Sequence, residues 1–404
     1  MSEMLFNLID TRLQLWRGDE LVLESPGYAL LQGKQYLFGE PARSQARLQP
    51  RNIHHRYWQQ LDTEPLQPAF GPSRHSADLV HAQLMDIHQQ ATEAKALIIA
   101  APGSMQSAQL SLLLGIIDQC PFDAVGLVDR AVASCSGLAL VGEACHIELH
   151  LNQALVTRLG WVDGQLQRLA ATPIPGCGWL AVQESLAQAI ADSFIRQTRY
   201  DPRRLGGTEQ ELYNQLPPLL SQLEQLGEKN LEFTGNQARI DRATLAEKCA
   251  PLWQRIAATI TPGARVVLAP GMNNLPGLRE QFDTAMQLDE HALPRAVYKH
   301  RDALRGDGGG LHFITRLPAE ATTAENAQKP EPEPAKEVTP APEPCQYRID
   351  VVDGVVTVEP GQGRPPRLNG SALTTSTRLQ PGDVLELGDD RILQVLNRTG
   401  EDGT

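Results

Sequence analysis

After Leu317 the chain runs through PAEATTAENAQKPEPEPAKEVTPAPEP, a stretch rich in Pro, Glu and Ala with no aromatic residue before Cys345. Such a segment cannot bury enough apolar surface to offset the entropy of ordering it, so it belongs to no core. The sequence therefore divides into a large part, residues 1–317, an extended semi-rigid linker, residues 318–344, and a small part, residues 345–404. At 404 residues the whole chain exceeds the size at which one hydrophobic core stops growing, so roughly two or three packing units are expected.

Inside the large part, short apolar runs alternate with longer helical patterns, which argues for an α/β layered fold. Leu5–Ile9, Gln14–Trp16, Glu20–Leu23 and Tyr28–Leu31 read as an opening strand meander broken by glycine turns. Ala77–Gln90, Ser107–Gln119, Trp179–Thr198 and Glu209–Leu226 carry helical spacing. Ala96–Ala100 and Arg265–Leu268 read as buried strands, each stopped by Pro-Gly, and a helix is expected from Leu275. In α/β proteins a strand, a glycine turn and a helix in succession form the usual ligand-facing loop. The small part reads as all-β: Tyr347–Val352 and Val355–Glu359 flank Asp353-Gly354, a hairpin-turn dipeptide. Val384–Leu387 and Ile392–Leu396 are its last strands, after turns at Asn369-Gly370 and Pro381-Gly382-Asp383.

The formal net charge of −12 argues against nucleic acid or an anionic membrane as partner, because each requires a concentrated basic face. MSEMLFNLID lacks a basic region followed by an apolar stretch, and no apolar run is long enough to span a bilayer, so a cytoplasmic location is expected. The six cysteines, Cys120, Cys135, Cys145, Cys177, Cys249 and Cys345, form no CxxC pair and read as buried reduced thiols.

Phe38-Gly39-Glu40-Pro41-Ala42-Arg43-Ser44-Gln45 through Pro50-Arg51-Asn52 resembles the GxxAxxQxxxNPxN stretch of the seventy-kilodalton heat-shock chaperone ATPase domain, in the actin-like superfamily. Ala96–Pro102 resembles that family's strand ending in VPA, and Val125–Gly137 its connecting helix with an acidic residue. Trp179–Asp201 is similar to the helix after its second phosphate loop, and Val266–Phe282 to its adenosine-loop strand, turn and helix. The order and spacing of these matches, over most of residues 1–305, imply a two-lobed actin-like ATPase fold.

The same resemblance places degraded loops where nucleotide would bind. The family's Asp-Leu-Gly-Thr-Thr corresponds to Asp10-Thr11-Arg12-Leu13-Gln14, keeping the carboxylate but setting Arg12 where phosphate should approach. Its Asp-Leu-Gly-Gly-Gly-Thr corresponds to Glu148-Leu149-His150-Leu151-Asn152-Gln153, with every glycine lost. Its lysine falls on Trp58, its connecting-helix glutamate on Asp129, and its adenosine-loop Gly-Gly-Ser on Pro270-Gly271-Met272. Asp10, Arg12, Asp129, Glu148, Gly271, Met272 and Asn273 are thus the candidate cofactor-contacting residues. With phosphate cradle and cation missing, no catalytic residue, metal ligand or obligatory cofactor is expected. The function implied is a non-catalytic pseudo-ATPase acting as scaffold or adaptor for other proteins, one of them bound by residues 345–404. The alternative is a divergent chaperone-like protein that still binds ATP and magnesium to switch closure of its lobes. It requires Asp10, Asp129 and Gly271 to converge on one cleft, whereas the scaffold tolerates a cleft plugged by Arg12, Trp58 or Met272.

Arg367-Leu368-Asn369-Gly370 through Leu379–Gly388 resembles the closing half of a forkhead-associated domain. The arginine and Ser-x-x-His that such domains use on phosphothreonine are not evident, which implies protein binding without phosphate. Other features read as structural. His146 and His150 are expected on one surface or interface face of a strand with Glu148 opposite, and His54-His55 in a solvated helix. Ser134-Cys135-Ser136-Gly137 reads as packed helix, and Gly308-Gly309-Gly310 as a turn.

Overall fold

Three antiparallel strands open the chain, β1 (Glu3–Asn7), β2 (Leu13–Arg17) and β3 (Glu20–Ser25). This computed structural model describes residues 3–140, 142–305, 311–318, 347–352, 355–360, 366–368, 371–379, 384–386 and 392–394. The sequence expectations on Asp353-Gly354, Asn369-Gly370, Pro381–Asp383, Gly308–Gly310, Cys345 and residues 319–344 lie outside them. Two compact units are formed, Met1–Ala327 and Gln328–Thr404.

After the meander, β4 (Ala29–Gln32), β5 (Gln35–Phe38) and β6 (Ile53–His54) make a small sheet around the short helix α1 (Gly39–Arg43). A hairpin of β7 (Pro65–Phe70) and β8 (Ser73–His75) leads into α2 (Ser76–Gln90), β9 (Ala96–Ala101) and α3 (Ser107–Asp118). Then come β10 (Asp123–Asp129) and α4 (Arg130–Cys135). The second half begins with a longer meander, β11 (Ala144–Leu149), β12 (Gln153–Val162) and β13 (Gln165–Pro175). It continues through α5 (Trp179–Thr198), α6 (Gly206–Leu226), the hairpin β14 (Glu228–Phe233) and β15 (Asn236–Asp241), and α7 (Arg242–Ala257). The unit closes with β16 (Arg265–Leu268), α8 (Leu278–Gln281), β17 (Met286–Gln287), α9 (Ala292–Leu304), β18 (Phe313–Ile314) and β19 (Arg316–Pro318).

These strands build two six-stranded sheets, in the orders β3-β2-β1-β9-β10-β18 and β13-β12-β11-β16-β17 with β19 beyond β13. In each, an antiparallel meander is followed by two strands that run parallel to its first strand. Five strands therefore repeat in order and direction, β1 answering to β11, β2 to β12, β3 to β13, β9 to β16 and β10 to β17. β9 and β11 are buried along their whole length, as expected of central strands covered on both faces.

Three apolar clusters follow from this layout. One lies between the first sheet and α2 and α3, around Phe6, Leu84, Leu97 and Leu113. A second lies between the second sheet and α5, α6 and α7, around Ile147, Phe194, Leu216 and Trp253. The third is shared: Leu5, Ile98 and Val128 of one sheet and Ala144, Leu159 and Val267 of the other enclose α4 and α9.

The mixed α/β class is as expected, and Trp179–Thr198 and Arg265–Leu268 are found with the expected bounds. Four expectations need correction. Val125–Gly137 is not one helix, because the apolar run 124–128 completes β10 and the helix begins only at Arg130, capped by Asp129. His54 lies on β6 and both His54 and His55 are half-buried, not in a solvated helix. The helix expected from Leu275 is a 3-10 turn, Met272–Asn274, then α8, with the left-handed Gly277 between them. Arg316–Pro318 pairs with β13 and Leu317 is buried, so the large part extends at least through Pro318. In the small unit, Tyr347–Val352, Val355–Pro360 and Thr377–Arg378 form one antiparallel sheet. Arg367–Leu368, Ser371–Ala372, Val384–Glu386 and Ile392–Gln394 form another.

One glycine fixes how α5 leaves the second meander. A Cβ on Gly178 would sit 2.5 Å from the His150 carbonyl oxygen and closer still to the Gln153 nitrogen, both backbone atoms. Gly178→Ala should therefore destabilise the large unit by about 3 kcal/mol, in the upper range for forced overpacking. Urea unfolding checks this, and a loss within error of zero would show that the loop at 150–153 yields freely.

Candidate functional site

The turn between β1 and β2 and the turn between β11 and β12 occupy equivalent places in the two sheets, and they touch. The Leu151 N–H donates to Asp10 Oδ1 at 2.8 Å, and the Thr11 hydroxyl donates to the Leu149 carbonyl at 3.3 Å. His150 stands between Asp10 Oδ1, 3.2 Å from its Nδ1, and Glu148 Oε1, 2.9 Å from its Nε2. Arg130, at the start of α4, donates to Glu148 through Nη1 and to Asn7 Oδ1 through Nε at 2.8 Å. Asn7 continues to Gln14, and Gln14 to Glu24. Asp10, Glu148, Arg130 and His150 are each at most 5% exposed.

Charges so deeply buried persist only when paired. Burial alone would pull the His150 imidazole down, but its hydrogen bonds and charge contacts with Asp10 and Glu148 outweigh this and lift its pKa to about 9. Burial would push the Glu148 carboxyl up, but Arg130 and then His150 hold it well below the usual carboxylate range. Protonated His150 thus bonds both Asp10 and Glu148, and Arg130 pairs with Glu148. His146 differs: its ring is fully buried, neither nitrogen has a hydrogen-bond partner, and burial pulls its pKa to about 4.

The strand geometry corrects the expectation for this segment. Side chains alternate along β11, so residues 146 and 148 share one face, with 147 and 149 on the other. Glu148 is on the same side as both histidines, within 3.6 Å of His146 and 2.9 Å of His150, and that face is interior rather than surface.

Two cavities flank the joined turns. One of about 540 Å³ is lined by Thr11, Arg12, Arg130, Trp179, Leu220 and the Pro270–Met272 turn. Arg12 crosses its margin to Glu290, which follows β17, with Nη2 at 2.7 and 2.5 Å from the two carboxylate oxygens. Gly271 is left-handed, with φ of +79°, and opens the 3-10 turn that holds the buried Met272. The other cavity, about 270 Å³, is lined by Asp10, Trp58, His150 and the Pro102–Met105 turn that follows β9. Trp58 is buried and donates its indole N–H to Gln83 at 2.7 Å.

Of the residues singled out from the sequence, Arg12, Gly271 and Met272 meet at the larger cavity, while Asp10 lines the smaller one. Glu148 lies beneath the turns in the charge network. Asn273 is half-buried in the 3-10 turn, whereas its neighbour Asn274 lines the larger cavity. Asp129 lines neither: it caps α4 through the Val132 N–H and pairs with Arg168 of β13 at 2.7 Å. Burial raises its pKa to about 6, with Arg168 opposing. His150, Arg130 and Glu290 were missed. The polar positions 146, 148 and 150, interrupting an otherwise apolar strand, were the available signal. Among the described residues no group of His, Cys, Asp and Glu is arranged to hold a metal ion. Cys120, Cys135, Cys145, Cys177 and Cys249 are unbridged and buried. No helix among the described residues is long and apolar enough to cross a membrane. No protein-family model and no curated protein matches this sequence.

Two measurements test the network. Arg130→Met strands Glu148 as a buried anion and should cost about 3–5 kcal/mol in urea unfolding, against about 1 kcal/mol or less for Arg12→Met at the exposed pair. Against the opposing effect of burial, Asp10 and Glu148 raise the His150 pKa from its ordinary 6.5 to about 9, so its stabilisation is complete below pH 6.5 and fades as the pH rises through 9. A melting-temperature scan across that window should fall less steeply for His150→Gln than for the wild-type chain. Equal slopes would mean that the imidazole is neutral in the folded protein.

Proposed function

We propose that the large unit is a two-lobed, actin-like pseudo-ATPase of heat-shock-chaperone type that serves as a scaffold or adaptor. The repeat of five strands in two sheets supports the fold reading, since such a duplication suits a pair of lobes closing on a cleft. The observation that carries the function is the direct bonding of the two turns through Asp10, His150 and Leu151. In an active enzyme of this kind, phosphate oxygens and a metal lie between those turns, approached by glycine backbone. Here a side-chain imidazolium and a backbone N–H take the Asp10 carboxylate instead. Arg12 is held by Glu290, and Asp10, Asp129 and Gly271 do not share one cavity, which weighs against the nucleotide-driven alternative.

The adaptor reading extends to the small unit. Its antiparallel strands are compatible with a shortened forkhead-associated-like sandwich that takes a protein partner without phosphate. The Pro/Glu/Ala composition of residues 319–344 is that of a spacer, which raises the local concentration of whatever the small unit holds.

One observation favours the ATP-binding alternative, namely that the 540 Å³ cavity beside Gly271 is large enough for a nucleoside. Isothermal titration of the full chain with ATP and with ADP, in magnesium, separates the two. The scaffold reading expects no binding up to millimolar nucleotide. Micromolar binding would overturn it, and turnover would then be the next quantity to measure.

A further inference from the structure

A third cavity, about 610 Å³, opens between the segment from β4 to β6 and helices α5 and α6; Leu151 and Asn152 of the second turn also line it, and it shares Arg43 with the 540 Å³ cavity and Gln59 and Gln60 with the 270 Å³ one. Three guanidiniums line it, Arg43, Arg47 and Arg56; Arg43 pairs with Glu40 and Arg47 with Glu184 and Glu209, which leaves Arg56 as the uncompensated cation in a chain whose net charge is −12. Concentrating cations against that background is unfavourable unless an anion offsets them.

The three arginines are not equally engaged. Arg43 is held by Glu40 through two hydrogen bonds of 2.6 Å. Arg47 lies 3.7 Å over the Tyr213 ring, with Glu209 and Glu184 only at 3.6 and 3.7 Å. Arg56 is exposed, and among the described residues its guanidinium has neither an ion pair nor a hydrogen bond. Tyr28, 3% exposed, lines the cavity beside His55, with ring centroids 6.0 Å apart. Burial keeps the Tyr28 hydroxyl protonated, its pKa pushed up to about 12, so it can donate to an anion. Burial and then Arg56 lower the His55 pKa, leaving a neutral ring whose buried Nδ1 has no partner.

We propose that this groove binds a small polyvalent oxyanion, a polycarboxylate or a phosphate ester, with Arg56 as its principal charge contact. Arg47 and the Tyr28 hydroxyl complete the site. The planar fork of an arginine suits a carboxylate or phosphate equally, so the shared chemistry is the oxyanion. Both halves of the large unit supply the walls, with Arg43, Arg47, His55 and Arg56 on one side and Glu184 and Tyr213 on the other. Occupancy therefore bridges the halves beside the second turn, at a set of side chains that includes neither Arg12 nor the Gly271 turn.

The test is titration of the full chain with citrate and, separately, inorganic pyrophosphate at matched ionic strength, followed by calorimetry and by melting temperature. At least one should bind saturably with one site per chain and raise the melting temperature. Arg56→Gln should weaken that binding at least tenfold and Tyr28→Phe several-fold, while Arg12→Gln, at the other cavity, leaves it unchanged. Which probe binds assigns the ligand to the carboxylate or the phosphate class. Absence of binding by both at millimolar concentration, or equal binding by Arg56→Gln, overturns the proposal.

Discussion

The contact between Asp10 and His150 sets the relation between the two sheets of the large unit. Asp10 lies in the turn after the first strand of one sheet and His150 in the turn after the equivalent strand of the other, so their contact joins the halves at corresponding turns. Arg130 then ties this pair to the shared core, because its helix, α4, packs between the sheets. Once these groups are buried, every further interface member has its position limited. The Gln59 amide meets Gln153, Asn152 donates to the His55 carbonyl, and Tyr298 of α9 donates to backbone carbonyls of the first meander.

A second consequence is a pairing of cavities. Each sheet has a parallel strand that ends in Ala-Pro-Gly, residues 101–103 after β9 and 269–271 after β16. The first turn looks onto the smaller cavity and the second onto the larger, with the joined turns between them. The duplication therefore reaches beyond strand order to the loops. The halves are nevertheless unequal: the second carries α5, α6, a hairpin and α7 between its third and fourth strands, and its cavity is twice as large.

Much of the frame was legible because strong local signals decide it. Continuous apolar runs at 96–101 and 265–268 become central strands, and the helical spacing of 179–198 survives intact, since nothing nonlocal competes with those patterns. The repeat itself was written in the paired Ala-Pro-Gly turns, but two tripeptides are a faint signal among 33 glycines and 29 prolines. Helix α7 escaped although Leu245, Cys249, Trp253 and Ile256 hold helical spacing, because Pro251 inside it reads as a helix breaker, and the hairpin β14–β15 because its alternating apolar residues are few and its strands short. Hydrophobicity assigns His146, Glu148 and His150 to the surface, and their alternation within an apolar strand marks them without saying which way they face. Only the partners brought from 10 and 130 make their burial tolerable, and those lie far away in sequence.

The energetics of that cluster suggest what it is for. Replacing a buried ion network by apolar residues of similar volume is often neutral or stabilising, so net stability is a poor reason to keep four charges there. What the network supplies is discrimination. Glu148 takes both Arg130 and protonated His150, and His150 reaches on to Asp10, so each member has its full set of partners only when all four meet. Parting the turns to admit a third group would leave Asp10 facing water or an anion while His150 and Arg130 remained bound to a single carboxylate. The cost of that imbalance favours one closed arrangement of the two sheets over its alternatives.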